Sequence, residues 1–453
     1  MNIPKTVRID YRMITRWFKV LNKRPFITVV ALLPVLLLGI MLVLKSVNVP
    51  NSDEWELVPI FQHIHTGHIY WMDFWRQHNE HRIIIPNIVL VTTAYFTHWN
   101  LIVENFINIV IAIASFSVIL KVLKITGIEF KQKSSLVLIF LVSLIWFSLV
   151  QSDNWLWGWE IEWFLNVLGV TVVAYCLSRL KAQRLGFSIK HLGLLLLGGV
   201  IAQYSLGNGT LIWPILVIVL LFRRIPLKQI AAVFLTGSIS TLFYYLHYTN
   251  LDKGSLKFVS HNLIGFAKYF FTYLGGPLGL EHRLTPILGL VLFMVFVGMC
   301  TVLITRQKEL FNKLIPWVCL GLYAIGSAFI TGLARLSLGP SEAASSRYTT
   351  IASLLLISVV VMLYHCRGKV KSVTRKFYPS LAVVGVLLVF SLVLLNDFIG
   401  FRNMNDLNRS LKAQQQCTHL LNPTTACLLS TYPNPTIVSG RLNYLKQVHW
   451  AGY

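Results

Sequence analysis

The residues best suited to chemistry lie between Asp53 and Asn87, directly after the first long apolar run of the chain. Two adjacent carboxylates, Asp53 and Glu54, open this stretch, and the polar sequence HNEHR closes it at Arg82. Charged groups at this density are costly inside a bilayer, so the stretch belongs in water or at the membrane interface. Because two polar clusters flank one short interfacial segment, they can meet over a shared pocket, and we expect the chemistry there.

A carboxylate at this position is suited to act as a general base, since it can take the proton of an attacking hydroxyl. We predict that Asp53 is this base, because it comes first after the apolar run and the end of that run restricts its movement. Glu54 is the second choice. The alternative is that both residues cap an interfacial helix whose Trp55 is anchored among lipid headgroups.

Arginines near the ends of two later apolar runs are suited to hold an anion. Arg335 and Arg347 lie in the segment ARLSLGPSEAASSRY, on the predicted outer side, where basic residues are less common. A guanidinium fork matches the oxygens of a phosphate with two parallel hydrogen bonds, whereas simple anchoring at the interface is the alternative. The predicted phosphate site consists of Arg82, Arg335, Arg347, His81 and Tyr348.

A tryptophan-rich loop, QSDNWLWGWEIEW at residues 151–163, combines four indole rings with three carboxylates. Tryptophan commonly forms a belt at the membrane interface, which is one interpretation. The other interpretation is a wall for a sugar, because aromatic rings stack on the apolar faces of sugars while carboxylates bind hydroxyls. The predicted sugar or acceptor ligands are Glu80, Trp157, Glu160 and His78.

Five histidines in the first polar stretch raise the alternative of a metal site. His65 and His68 are three residues apart, as are His78 and His81, and this spacing places each pair on one face of a helix. We predict that no cofactor is needed, and a divalent metal bound through His65 and His68 is the alternative.

The rest of the chain predicts an all-α polytopic membrane protein with about eleven transmembrane helices. Of its 453 residues, 55% are hydrophobic, and its apolar runs approach the roughly 20 residues that a helix needs to cross a bilayer. The net charge of +23 is concentrated in short loops between these runs, which indicates membrane topology and not nucleic-acid binding. The predicted spans centre on residues 26–44, 101–120, 135–150, 163–178, 192–206, 210–222, 229–246, 285–304, 315–333, 349–364 and 378–397.

The distribution of basic residues sets the predicted orientation. If residues 83–96, which contain Pro86 and Asn87, lie in the interface, the inner segments hold 26 of the 40 Lys and Arg residues. The amino terminus is then cytoplasmic and the carboxyl terminus extracytoplasmic, in the cytoplasmic (inner) membrane of a bacterium. The predicted units are a cytoplasmic lead-in (1–25), a transmembrane domain (26–398) with a first outer loop (45–100), and a small outer tail (399–453).

Two of the six cysteines stand apart in the polar tail. Cys417 and Cys427 are ten residues apart and, on the outer side, are able to form a disulfide. The other four lie in or beside apolar runs, and we expect them to pack as small hydrophobic side chains.

The first outer loop resembles that of the GT-C membrane glycosyltransferases, especially the aminoarabinose-transferase and protein-mannosyltransferase branch. In that family an acidic pair, an interfacial helix, a small-residue turn, a second polar cluster with proline and a second interfacial helix precede the second span. The acidic pair matches 53–54, the turn 67–71, the second cluster 80–86, and residues 94–100 lead into a span that begins at 101–108. The lysine-proline-proline element of the family is absent, and the second span starts with ENFIN where the family has an RLPS-like sequence.

The resemblance implies a GT-C-like fold and the transfer of a sugar from a polyprenyl-phosphate donor to a hydroxyl of a glycolipid, glycan or protein on the extracytoplasmic face. It also implies that Asp53 is the base. The leaving group is a lipid phosphate, already a stable anion, so it needs cations rather than a general acid.

Two other functions stay open at this stage. A lipid-linked glycan flippase or transporter needs charged or broken helices at mid-membrane depth, and the predicted spans are almost free of charge at their centres. An O-antigen-ligase-like transferase is the other, and for it a large outer loop late in the chain is expected.

The predicted topology can be checked by labelling. Single cysteines at positions 130 and 440 should differ in intact cells: an impermeant maleimide should reach position 440 in the outer tail and not position 130 in an inner loop. Reaction at 130 with protection of 440 would reverse the orientation.

Overall fold

The computed structural model describes residues 24–180, 186–249, 255–279, 283–339, 341–367 and 378–453. The predicted lead-in therefore lies outside the described residues, apart from positions 24 and 25. Most of the predicted inner segment 367–376 also lies outside them.

Across these ranges the chain forms α-helices and short 3₁₀ turns, and the β-type pairing found there is a single bridge between His78 and His81. A helix satisfies its backbone hydrogen bonds within one segment, which the interior of a bilayer requires of long apolar runs. The helices are α1 (Arg24–Lys45), α2 (Val58–His65), α3 (Trp71–Trp75), α4 (Ile84–Thr97), α5 (Leu101–Ile125), α6 (Lys133–Trp146), α7 (Ser152–Leu156), α8 (Ile161–Ser178), α9 (Ile189–Ser205), α10 (Ile212–Phe222), α11 (Leu227–Tyr245), α12 (Ser255–His261), α13 (Leu263–Gly275), α14 (Thr285–Arg306), α15 (Lys308–Arg335), α16 (Thr349–Cys366), α17 (Tyr378–Thr418), α18 (Thr425–Leu429) and α19 (Pro435–Val448).

Eight helical stretches of the described chain are long and apolar enough to cross a membrane, which confirms the all-α polytopic fold. They are Leu101–Ile125, Lys133–Leu156, Gly158–Ser178, Leu227–Tyr245, Thr285–Arg306, Lys308–Leu338, Ser346–Cys366 and Val384–Thr418. The predicted spans 26–44 and 210–222 correspond to the shorter apolar helices Ala31–Lys45 and Gly207–Phe222, and the span 192–206 corresponds to α9, which has 17 residues. Eleven crossings are consistent with this arrangement.

Helix α4 is apolar but begins and ends at the same end of the bundle. Just before it, Glu80 pairs with Arg335 at the end of α15. Just after it, the amide of Leu101 donates a hydrogen bond to the side chain of Asn48, close to the end of α1 (3.0 Å). We call this end, formed by segments 46–100, 147–160 and 336–348, the upper end. With 14 residues, α4 is only about 21 Å long, shorter than a hydrocarbon layer of about 30 Å.

Helices α8, α15 and α16 form the centre of the bundle and are buried over most of their lengths. Asn166 of α8 connects two neighbours: it accepts a hydrogen bond from the hydroxyl of Tyr323 on α15 (2.7 Å) and donates one to the carbonyl of Ala202 on α9 (2.8 Å). Because these polar groups satisfy one another in an apolar interior, they fix the relative height of the three helices. The upper ends of α8 and α15 then carry their charged residues to the same level.

The last predicted span continues without a break past residue 398, because α17 runs for 41 residues to Thr418. The rest of the tail folds into α18 and α19. Cys417 and Cys427 form a disulfide with their Cα atoms 5.8 Å apart, which confirms the predicted pairing. The other four cysteines are buried or half-buried, as expected of small hydrophobic side chains.

Candidate active site

A cavity of about 270 Å³ lies at the upper end, where three separate loops meet. Segments 53–81, 157–163 and 335–347 line it. Of the residues predicted from the sequence, it contains Asp53, His78, Glu80, His81, Trp157, Glu160, Arg335 and Arg347. Their positions are up to about 290 residues apart in the chain, so the fold and not local sequence brings them together.

Asp53 reaches the cavity from a 3₁₀ turn, Ser52–Leu57. Its carboxylate is partly exposed, and Oδ2 lies 3.4 Å from Nε2 of His78. The ring of His78 packs against the indole of Trp159, with ring centroids 4.8 Å apart. The imidazole is therefore held in place, and it limits the orientations open to the Asp53 carboxylate.

Glu54 points away from the cavity, so the structure does not bring the second predicted base to the site. Its buried carboxylate accepts hydrogen bonds from the amide of Asn51 (2.8 Å) and the amide of Trp159 (3.4 Å). Burial raises the pKa of Glu54 to about 8, although these two hydrogen bonds act in the opposite direction. At neutral pH the group is mostly protonated, and it connects the first outer loop to the tryptophan-rich loop.

A tight turn delivers Glu80 and His81. The backbone amides of His78 and His81 each donate to the carbonyl of the other (2.8 Å), and Asn79 adopts a left-handed conformation, which asparagine tolerates better than most residues. His81 then packs directly on Gly207, where a Cβ atom would come within 2.6 Å of Nδ1. Burial, followed by the charge of Arg335, lowers the pKa of His81 to about 3, so at neutral pH it is not a cation that could bind phosphate.

Two arginines face the cavity, and both already have carboxylate partners. Arg335 donates from Nη2 to Glu80 (2.9 Å) and from Nη1 to the hydroxyl of Tyr348 (3.2 Å). Arg347 pairs closely with Glu342. The Nε atom of Arg347 is buried and has no hydrogen-bond partner among the described residues, so one of its donors remains unused.

Glu80 is ionised in this arrangement. Burial alone would raise its pKa, but the charge of Arg335 and the hydrogen bond from Arg335 outweigh burial and lower it.

Tyr348 supports the arginines from behind and does not line the cavity. Its hydroxyl donates to Glu342 (2.7 Å) while accepting from Arg335, and its ring is fully buried. The structure therefore places Tyr348, a predicted phosphate ligand, behind the cavity wall, where its hydroxyl holds Arg335 and Glu342. Glu342 had no predicted role, because nothing in its spacing distinguishes it from a solvated loop acid.

Arg82 does not line the cavity with the other two arginines, so the structure does not bring it to the predicted phosphate site. Its guanidinium is buried and donates to the carbonyls of Trp75 and Leu246 (2.6 Å each), with the indole of Trp75 against it at 5.2 Å. Its amide donates to the hydroxyl of Tyr244 (2.9 Å). Arg82 therefore joins the first outer loop to the end of α11, with both of its Nη atoms donating to backbone oxygens.

The histidines of the metal alternative lie apart from the cavity. His65 hydrogen bonds with Tyr444 of the tail, and its ring packs edge-on against Trp450 (4.7 Å). His68 is exposed. Over the described ranges, no group of three or more His, Cys, Asp or Glu side chains is arranged to hold a metal ion.

A second and larger cavity, of about 1000 Å³, lies on the other side of the Ser346–Arg347 segment. Hydroxyl side chains line much of it, together with Asp153, Lys268, Arg283 and Asp406. Ser346 accepts a hydrogen bond from the amide of Asp153 (3.1 Å), so this wall is tied to α7.

The chain is similar to a solved structure of ArnT from Cupriavidus metallidurans, crystallised with bound undecaprenyl phosphate. The sequences are 13% identical, the TM-score is 0.45, and the match covers 91% of this chain and 82% of that one. No family model and no curated protein matches the chain. ArnT belongs to the aminoarabinose-transferase branch that the first outer loop resembles.

The raised pKa of Glu54 predicts a stability that depends on pH. Between its ordinary pKa of 4.5 and about 8, the folded protein keeps a proton that the unfolded chain has released, so the free energy of unfolding falls as pH rises through this window. Glu54→Gln should flatten that decline between pH 5 and pH 8, measured by thermal unfolding of the purified protein. Glu129→Gln, at an exposed loop position, serves as the control and should leave the slope unchanged. Equal slopes in Glu54→Gln and the parent would contradict the assignment.

Proposed function

We propose that the protein is a GT-C-type glycosyltransferase that moves a sugar from a polyprenyl-phosphate donor to a hydroxyl acceptor on the extracytoplasmic face of a bacterial cytoplasmic membrane. The observation that supports this best is the content of the 270 Å³ cavity. It combines a partly exposed carboxylate, two arginines and a wall of tryptophans and acids, which are the groups that a base, an anionic leaving group and a sugar ring require.

Asp53 acts as the general base in this proposal. It takes the proton of the acceptor hydroxyl while that oxygen forms a bond to the anomeric carbon of the sugar. The bond between the anomeric carbon and the phosphate oxygen breaks, and its electron pair leaves with the phosphate. His78, 3.4 Å from the carboxylate, orients Asp53 for this step.

Arg335 and Arg347 stabilise the phosphate as it gains charge. Preorganised cations at a leaving group contribute to catalysis because the protein need not reorganise when the charge develops. The unused Nε donor of Arg347 offers a first contact. Further contacts would form as phosphate oxygens compete with Glu80 and Glu342 for the guanidinium groups, so these carboxylates hold both arginines in place before the donor arrives.

The remaining predicted ligands surround the space left for the sugar. Glu80, Glu160 and His78 offer hydrogen bonds to hydroxyl groups, and Trp157 offers an aromatic surface. Arginines neutralise the phosphate in this arrangement, so the proposal requires no metal. The larger cavity beyond Ser346 is the proposed approach for the acceptor, because its hydroxyl and charged lining suits a hydrophilic molecule.

The location of the site favours transfer over transport. A transporter places its charged groups at mid-membrane depth, often at broken helices. Here the charged residues of the cavity lie in loops and helix ends at the upper end of the bundle. This position suits an enzyme that meets a lipid headgroup at the interface.

Replacing the base tests the chemistry directly. Asp53→Asn keeps the size and hydrogen bonding of the side chain but removes its basicity, so the transfer rate should fall by at least roughly 100-fold. The measurement is transfer in nanodiscs from a panel of polyprenyl-phosphate sugars, with folding checked by thermal unfolding. Asp73→Asn is the matched control in the same loop: Asp73 pairs with His63 outside the cavity, and the transfer rate should be near normal. A near-normal rate in Asp53→Asn, with loss in His78→Asn, would move the base to His78.

The phosphate contact can be tested by a change that keeps the charge. Arg347→Lys loses the planar fork and should weaken binding of undecaprenyl phosphate by roughly 1.5–3 kcal/mol, the range for a charged hydrogen bond. Arg402→Lys, at an exposed arginine on α17, is the control and should bind the lipid normally. Unchanged affinity in both Arg347→Lys and Arg335→Lys would remove these arginines from the donor site.

A further inference from the structure

The outer tail touches the same 3₁₀ turn that carries Asp53. The amide of Ser52, directly before Asp53, donates a hydrogen bond to the carbonyl of Thr431 (2.8 Å). The hydroxyl of Tyr432 donates to Glu56 (2.8 Å), and Arg441 donates to both oxygens of the same carboxylate (2.9 and 3.4 Å).

Glu56 is well placed to transmit this contact. In a 3₁₀ turn, side chains three residues apart lie on the same face, so Glu56 and Asp53 are neighbours one turn apart. The side chains of Glu56 and Arg441 are only 19% and 15% exposed, so water screens the pair weakly. Burial alone would raise the pKa of Glu56, but hydrogen bonds from Arg441 and Tyr432 outweigh it and lower the pKa.

The backbone at this point requires support. Ser52 has a φ of +51°, in the left-handed region that residues with a side chain rarely adopt. Such a conformation persists only where the surrounding structure holds it. The hydrogen bond from Ser52 to Thr431 is a contact that holds it, and Thr431 lies four residues after the disulfide at Cys427.

Packing fixes the rest of the tail onto the first outer loop. The indole of Trp450 contacts the rings of Phe61 and His65, at 5.1 and 4.7 Å. The amide of Ala451 donates to the carbonyl of His98 (2.9 Å). The tail is therefore packed against the first outer loop both at the turn that carries Asp53 and farther along the loop.

We propose that the outer tail is a clamp that positions the base, with Arg441 as a positioning residue acting on Asp53 through Glu56 and the Ser52 backbone. The effect on catalysis rests on the proposed function, whereas the effect on the turn does not. Without the clamp, the 3₁₀ turn relaxes and the carboxylate of Asp53 moves relative to His78 and the sugar. Small misplacements of a reacting group are costly in rate, because orientation supplies a large part of catalysis.

The structure provides a control within the same cluster. Arg76 approaches Glu56 from the solvent side, with its Nη2 atom 3.5 Å from the carboxylate and its side chain 56% exposed. Arg76→Gln and Arg441→Gln remove the same charge from the same carboxylate, but only Arg441 belongs to the tail. Arg409→Gln, which breaks an exposed pair with Asp406, controls for loss of a tail arginine in general.

The test combines amide hydrogen exchange with kinetics on the full-length protein in nanodiscs. Arg441→Gln should speed exchange of the Ser52 amide and its neighbours by about tenfold or more, and should lower kcat by about tenfold with the KM for the donor unchanged. Arg441→Lys keeps one charged contact, so its exchange rate at Ser52 and its kcat should lie between those of Arg441→Gln and the parent protein. Both controls should match the parent protein, and adding Glu56→Gln to Arg441→Gln should produce little further change.

The two experiments distinguish failure of the clamp proposal from failure of the proposed function. If the parent protein transfers no sugar from any donor, the proposed function fails, and the exchange experiment still decides whether the tail holds the turn. Unchanged protection of Ser52 in Arg441→Gln would overturn the clamp. So would equal loss of kcat in Arg76→Gln, or a change confined to KM, because either would show that Arg441 does not position the base.

Discussion

The upper end of this molecule depends on one ion pair, Arg335 with Glu80. It joins the end of α15 to the first outer loop across the cavity, over 255 positions of sequence. The side chain of Arg335 is mostly buried and that of Glu80 is half-buried, and a charge in such a position is costly without its partner. The turn at 78–81, the hydroxyl of Tyr348 and the carboxylate of Glu342 all serve to keep this pair aligned. Apolar packing organises the bundle below, whereas paired charge organises the site above it.

The arginines of the cavity are paired with acids before any ligand is present, and this pairing has a chemical consequence for the proposed transfer. Arg335 is paired with Glu80, and Arg347 is paired with Glu342. A free phosphate would compete with these carboxylates for the guanidinium groups. The pairing therefore disfavours strong retention of a phosphate product, because each arginine has a carboxylate to which it can return.

Much of this arrangement was predictable from the sequence, and what was missed shares a physical cause. Charge counting identified residues 83–96 as non-spanning, and the structure shows α4 with both ends at the upper end. Residue type and predicted side of the membrane also grouped Asp53, Glu160 and Arg347, which line one cavity. Arg82 was expected at the cavity, but two backbone carbonyls hold its Nη atoms elsewhere, and a sequence does not show where distant carbonyls lie.

For two acids, Glu54 and Glu56, the sequence likewise does not show the direction or the partner of the side chain. Glu54 is adjacent to Asp53 in sequence, yet the turn directs one into the core and the other into the cavity, a distinction of side-chain direction alone. Glu56 has its partner Arg441 at a separation of 385 residues, and no local pattern connects them.

Helix α17 connects the last predicted span rigidly to the tail. Its 41 residues extend about 60 Å at 1.5 Å per residue, roughly twice the thickness of a hydrocarbon layer. Two hydrogen bonds hold the helix along its length. The hydroxyl of Ser148 donates to the carboxylate of Asp397 (2.5 Å), and the side-chain amide of Asn408 donates to the carbonyl of Lys45 (2.6 Å). An unbroken helix transmits rotation: one inserted residue turns everything beyond it by about 100°. An insertion or deletion between residues 398 and 408 would therefore rotate the tail away from the first outer loop on which it packs. The number of residues in this stretch is fixed by the helical repeat, a constraint that ordinary loops of membrane proteins do not have.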